Sequence, residues 1–175
     1  MKSKTSKRLV IDASVARAAG GESATFPSSK KCRDFLTSVL IVCHRFVMMP
    51  AVREEWTKHE SRFAKQWRVS MVARRKLVFI NVSDDVELRA AIESTAKGEK
   101  KVFEILKDLH LVEAAQSTDR TIISLDDAVR SMLVIVSEEI LAIRSIIWVN
   151  PVKFEGMDSW LLKGAPALNE LMIRP

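Results

Sequence analysis

Cysteine is scarce in this 175-residue chain, with only Cys32 and Cys43 present. They fall in one helix-like segment, too far apart for the paired-thiol spacing of a zinc site and too few for a disulfide framework. They read as buried apolar fillers. Long apolar runs are missing too: none approaches the roughly 18 residues that cross a bilayer. The start, Met1-Lys2-Ser3-Lys4, runs into polar residues and not into the apolar core of a signal peptide. The expectation is a cytoplasmic protein with no membrane partner. There is no internal repeat, no heptad seam and no low-complexity tract, which removes solenoids, coiled coils and linker-like segments.

What is present suits one folded domain, long enough to bury a core without disulfides or structural metal. A content of 47% hydrophobic and 29% charged residues excludes disordered and fibrous classes. The net charge is +6, and the excess is uneven. Between Arg53 and Lys76 eight Lys/Arg face three Glu, and Lys2, Lys4, Lys7 and Arg8 make a basic N-terminus. Clustered cations attract phosphates by releasing condensed counterions, so a polyanion is the natural partner. The plainer alternative is a solubilising helix face beside an ordinary charged terminus.

Periodicity along the chain alternates between strand-like and helix-like. Arg8 to Ala13 reads as a buried strand, and Ser14 caps a short helix through Ala18 that Gly20-Gly21 breaks. Glu22 to Ser29 is a loop, after which Ser28 or Ser29 caps a helix to about His44. Phe46 to Met49, closed by Pro50, is a second strand. From Ala51 to about Arg74, Val52, Trp56, Phe63, Trp67 and Met71 form one helical stripe. Leu77 to Ile80 is a third strand, and Ser83-Asp84-Asp85 opens a helix to about Ala96. Lys100 to Ser117 is helical on the stripe Val102, Ile105, Leu106, Leu109 and Val112. Thr121 to Ser124 is a strand, Asp126 or Asp127 opens a helix to about Glu138, and Ile146 to Val149 is the last strand. The tail from Val152 holds a short helix near Ser159 to Lys163 and another after Pro166. Such alternation predicts an α/β fold, a single-domain parallel β-sheet with helices on both faces.

In an open parallel sheet, ligands sit outside the carboxyl ends of the strands. Asp12 ends the first strand and Asp126 lies just past the fourth, so both emerge on that edge. Asp108 sits beside the apolar stripe of its helix, at the boundary of the core, with Glu104 one turn earlier. Glu55 lies near the start of the helix after Pro50. Four carboxylates thus have reason to converge. Converged acids repel, and burial costs several kcal/mol each unless cations compensate. Mg2+ or Mn2+ is the economical counterion, since hard divalent metals prefer oxygen ligands. Such an ion orients a phosphodiester and lowers the pKa of a bound water, which is hydrolytic nuclease chemistry.

The pattern Leu9-Val10-Ile11-Asp12-Ala13-Ser14, then Pro50 to Trp56, then Asp108 to Ala115, then Ile122-Ile123-Ser124-Leu125-Asp126 resembles a PIN domain. The resemblance spans roughly residues 8 to 150, leaving 151–175 as a C-terminal extension packed on or following the same domain. It implies a metal-dependent ribonuclease in which Asp12, Glu55, Asp108 and Asp126 hold Mg2+ or Mn2+, while Ser14 and Ser124 support the site. It also implies RNA as partner. Many relatives are toxins of toxin-antitoxin pairs, so an antitoxin protein and a homodimer join the expected partners. Others process RNA, and the extra residues around Gly20 to Ser29 and after Asn150 depart from a compact toxin.

Some choices stay open at this level. Glu54 competes with Glu55, and Asp127 with Asp126, although Asp127 is also a natural helix N-cap. Glu104, Glu113 and Asp119 read as surface groups. His110 and His59 are minor candidates for substrate contact, and His44 reads as a helix end. The tryptophan stripe reads as core, which leaves Arg62, Lys65, Arg68, Arg74 and Arg75 as the RNA-binding face. The rivals are a PIN-like RNA-binding or protein-interaction module without turnover, a haloacid dehalogenase-type phosphatase and a receiver domain. The phosphatase wants a second Asp where Ser14 stands; the receiver wants an acidic pair near the first strand and a Lys after a late one.

Overall fold

Five short apolar runs become the strands of one all-parallel sheet: β1 (Arg8–Ile11), β2 (Arg45–Met48), β3 (Leu77–Phe79), β4 (Thr121–Ile123) and β5 (Ile147–Val149). The computed structural model describes residues 5–175, so Lys2 and Lys4 of the basic N-terminus lie outside the described residues. The spatial order is β3-β2-β1-β4-β5, with Leu9 beside Phe46 and Val10 beside Ile122. From β1 the chain steps outward to β2 and β3, then returns to lay β4 against the other side of β1. Strand order therefore reverses between β1 and β4, and the crevice at their carboxyl ends is where such sheets bind ligands. Leu9, Val10 and Ile11 have no exposed surface, because β1 is covered on both faces.

The helices form the two outer layers of an α/β/α arrangement. On one side α1 (Ala13–Ala18), α2 (Pro27–Ile41), α3 (Pro50–His59) and α4 (Arg62–Ala73) pack together and meet α8 (Met157–Leu162). On the other, α6 (Glu99–Gln116) packs against α5 (Val86–Thr95) and α7 (Asp127–Val136), and also touches β1 and β4.

The helix expected to run from Ala51 to about Arg74 is instead two, α3 and α4. Ser61 caps α4, accepting from the Ala64 N–H at 3.3 Å, and its own N–H donates to Ala16 O at 3.2 Å. In an unbroken helix Trp56 and Trp67 would stand about 16 Å apart along the axis. The break folds them into contact, with ring centroids 5.7 Å apart, and both reach Phe46 of β2. Burying three aromatic rings together outweighs helical continuity.

Smaller differences have local causes. Asp12, not Ser14, occupies the N-cap position of α1, and α2 opens on Pro27, whose fixed φ and missing N–H suit a first turn. Because α2 ends at Ile41, Cys43 and His44 lie beyond it. Cys32 is buried as expected, and burial pushes its thiol up to about 11. Cys43 is only half-buried, its thiol donating to Thr5 O at 3.3 Å. In the tail a 3-10 turn, Asn169–Leu171, replaces the second short helix. Trp160, Leu161, Leu171 and Ile173 join the same core as the sheet. Met172 forms an antiparallel bridge with Ile147 on the outer edge of β5, and the Ile173 N–H donates to Ile146 O at 2.9 Å. The outer edge of β3 pairs with no strand among the described residues, and Phe79 stands 72% exposed there. Among the described residues, no helix is long and apolar enough to cross a membrane.

Candidate functional site

At the carboxyl ends of β1 and β4 the chain builds a small hydroxyl-carboxylate network. The Asp12 N–H donates to Ile123 O at 2.9 Å, holding Asp12 in the crevice. Asp12 Oδ2 accepts from the Ser14 hydroxyl at 2.5 Å and from the fully buried Ser124 hydroxyl at 2.8 Å. Ser14 Oγ in turn accepts from the Leu125 N–H, and Ser124 Oγ from the Asp126 N–H, both at 3.1 Å. Two hydroxyls thus lock the Asp12 carboxylate to the turn between β4 and α7. Oδ1 of Asp12 receives no hydrogen bond among the described residues, so it remains available to a ligand.

Asp126 caps α7, its Oδ1 accepting from the Val129 N–H at 2.9 Å, and it also lines the crevice. Asp127, the alternative, is committed elsewhere: Lys153 Nζ lies 2.7 Å away and the Asn150 amide donates to it at 3.0 Å. Trp56 pins α3 to the end of β1 by donating its indole N–H to Ile11 O at 2.8 Å. The preceding residue, Glu55, consequently lines the same crevice, with His59 Nε2 3.5 Å from its Oε2. Glu54 is exposed and paired with Lys58 at 2.7 Å, outside that crevice.

Asp108 comes from the opposite layer, on α6, where the fully buried Leu109 anchors the helix to the sheet. Burial pushes the Asp108 carboxyl up to about 6, with Asp12 adding to the rise. Lys107 pulls it down, and Asp126 and Glu104 contribute smaller upward pushes. Asp12, Glu55, Asp108 and Asp126 share one cavity of ≈ 610 Å³. Among the described residues, no three His, Cys, Asp or Glu side chains are already gathered closely enough to hold an ion. The acids therefore line a common pocket rather than a closed coordination shell.

Two cations that carry no motif of their own in the sequence, Arg17 and Lys107, line this pocket, as do His59 and His110. Neither Arg17 nor Lys107 is in an ion pair among the described residues. Their only sequence signal is proximity, five residues after Asp12 and one residue before Asp108. The Arg62 to Arg75 face does not line the pocket. Arg68 is tied to Glu60 by two hydrogen bonds of 2.8 and 2.7 Å, and Arg74 reaches Leu40 O at 3.5 Å. Arg62, Lys65 and Arg75 are exposed, while Lys76 donates to the carbonyls of Val39, Leu40 and Val42 at the end of α2. Much of the basic cluster thus serves the fold.

No family model matches this chain, and no curated protein does either.

Two of the acids read as surface groups, Glu113 and Asp119, turn out to be structural. Glu113 is 2% exposed, accepting from the Asp85 N–H at 2.8 Å and pairing with Arg89 at 3.2 Å. Asp119 takes the Arg8 guanidinium with both oxygens, at 3.1 and 2.8 Å. His44 is fully buried rather than a loose helix end: its Nδ1 accepts from the Lys7 N–H at 3.1 Å, so Nε2 donates to Leu161 O at 2.8 Å. The pocket rim is held by Arg33, whose guanidinium donates to the carbonyls of Ala19, Gly21 and Ala24.

Chemically, the pocket offers four carboxylates, with the His59 and His110 imidazoles beside them, in a partly desolvated crevice. Mutual repulsion among the acids is visible in Asp108, and that donor chemistry fits a hard divalent cation, Mg2+ or Mn2+, better than a thiophilic metal. The cations Arg17 and Lys107 on the same rim suit a substrate bearing phosphate.

Proposed function

We propose that this chain is a Mg2+- or Mn2+-dependent endoribonuclease that hydrolyses RNA phosphodiester bonds. The observation that carries the reading is the meeting of four carboxylates, from the turn after β1, from α3, from α6 and from the cap of α7, in one pocket at the reversal of strand order. The resemblance to a PIN domain in the order and spacing of the same residues supports it.

Asp12, Glu55, Asp108 and Asp126 would hold the metal. The ion would supply Lewis-acid polarisation of the phosphoryl group and an acidified water. Ser14 and Ser124 keep the Asp12 carboxylate fixed, so that it need not reorganise when substrate binds. Asp108 is suited to orient the attacking water and take its proton, since burial and the neighbouring Asp12 raise its carboxyl to about 6. Arg17 and Lys107 would hold the phosphate and offset the charge that builds on it during attack.

The test is cleavage of single-stranded RNA by purified protein with Mn2+, with EDTA as the control. Asp12→Asn and Asp108→Asn should abolish cutting, and Glu55→Gln should impair it far more than Glu54→Gln. Undiminished cleavage by either Asn variant overturns the proposal. RNA retention without metal-dependent cutting would make the chain a binding module instead.

A further inference from the structure

A second pocket opens on the same edge of the sheet, one strand outward from the acids, where the turn after β5 meets the first turns of α7. Its volume is ≈ 380 Å³, and Arg130, Trp148, Asn150 and Lys153 line it together with Asp127. From its position and its unsatisfied donors we infer that this pocket is a subsite for a phosphate oxyanion of the RNA strand. The assignment of RNA rests on the function proposed above.

Two residues that line this pocket carry buried N–H donors with no partner among the described residues, Arg130 at Nε and Trp148, only 1% exposed, at the indole Nε1. Buried donors are normally satisfied, so a pair of orphans lining one pocket calls for an acceptor. Arg130 donates through Nη2 to Glu170 O at 2.9 Å, and no carboxylate pairs with it among the described residues. Two acids line the pocket: Asp127, already neutralised by Lys153 at 2.7 Å and held by Asn150, and Glu170, an exposed residue whose carboxylate is in no ion pair among the described residues and can turn to solvent. The unpartnered guanidinium and indole N–H groups donate and do not accept, and Arg130 carries a positive charge that no carboxylate offsets, so the complement is an anion rich in oxygen.

The two pockets are linked through α7. The Arg130 N–H bonds to Asp126 O at 3.2 Å, so Arg130 stands one helical turn beyond an acid of the first pocket. Asn150 Nδ2 also donates to Leu125 O at 3.4 Å, tying the second pocket to the turn that carries Asp126. One strand lying along the carboxyl edge of the sheet would reach from the acids to Arg130.

Free phosphate and a backbone phosphate share this chemistry, and two measurements in EDTA separate them. Proton–nitrogen correlation spectra report each indole N–H, and Trp148→Phe assigns the Trp148 signal. Inorganic phosphate should move that signal in the unmodified chain but not in Arg130→Gln, and chloride at equal ionic strength should not move it. No movement, or equal movement in Arg130→Gln, overturns the site. For a single-stranded oligoribonucleotide, Arg130→Gln and Lys153→Met should each bind on the order of tenfold more weakly. The slope of log affinity against log salt should fall by about 0.7 for each backbone phosphate that the variant no longer neutralises. Lys153 is exposed, so its replacement leaves the fold intact. Unchanged affinity and slope in both variants overturn the RNA assignment. Cutting is read in neither measurement: the nuclease reading fails if metal-dependent cleavage is absent, whatever the indole signal does.

Discussion

Asp108→Asn should make the metal-free protein more stable while destroying its activity. The carboxyl is moved from its ordinary 3.8 to about 6, by burial first and by Asp12 next. At 1.36 kcal/mol for each tenfold change in ionisation, the charged form is disfavoured in the native state by about 3 kcal/mol at most. Between pH 3.8 and 6 the native state keeps a proton that the unfolded chain gives up, so stability falls as pH rises across that window. Above pH 6 the whole penalty applies. Asparagine keeps the shape and removes the charge, so its gain should be full at pH 8 and vanish below about pH 4. In thermal unfolding, each kcal/mol moves the Tm of a domain this size by roughly 2–4 °C, a gain of up to roughly 6–12 °C. The assay is unfolding in EDTA from pH 4 to 8, then again with Mn2+. Metal at a hundredfold excess over its Kd should stabilise the unmodified chain by about 2.7 kcal/mol and the variant much less. A variant less stable than the parent at pH 8, or a difference independent of pH, would refute the reasoning.

Burial holds the His44 imidazole below its ordinary 6.5, so the unfolded chain takes up a proton there that the native state resists. Stability should therefore drop as pH falls below 6.5, and urea midpoints in an Asp108→Asn background should show this slope, flattened by His44→Gln. Trp56→Phe keeps the ring packing but leaves Ile11 O without its donor, which should cost about 1–3 kcal/mol in urea unfolding. Cleavage should fall as well, because Glu55 depends on that anchor; full activity would show that α3 is positioned otherwise. Glu113→Ala leaves the Asp85 N–H without its acceptor and Arg89 with only Asp84, at 3.4 Å, and the expected loss is about 1–3 kcal/mol. A loss below about 1 kcal/mol would make Glu113 a dispensable surface group.

Strand positions were legible because parallel strands buried on both faces read as continuous β-branched runs, as Leu9 to Ile11 and Ile146 to Val149 do. From strand ends followed the edge on which Asp12 and Asp126 emerge. The break between α3 and α4 was hidden because Val52, Trp56, Trp67 and Met71 keep helical spacing across it; the Ser61 cap was the only local sign. His44 and Glu113 were misread for a different reason. The partner of His44 at Leu161 is distant in sequence, and that of Glu113 is on another helix. Glu113 did leave a trace, lying four residues after Leu109 on the buried side of α6. The choice of Asp126 over Asp127, and of Glu55 over Glu54, depends on which neighbour takes a competing cation: Lys58 stands four residues after Glu54, a local helical pair, whereas Lys153 is far from Asp127 in sequence and no local pattern contains it.

The antiparallel bridge from Met172 to Ile147 makes the two margins of the sheet unequal. A polypeptide can extend a sheet only where backbone donors and acceptors are unspent. Here the tail occupies one margin, and β3 offers the other. Strand-to-strand association between copies should therefore run through β3 before β5, whose outer edge is already bridged at Ile147, and two molecules joined through β3 spend that margin on each other.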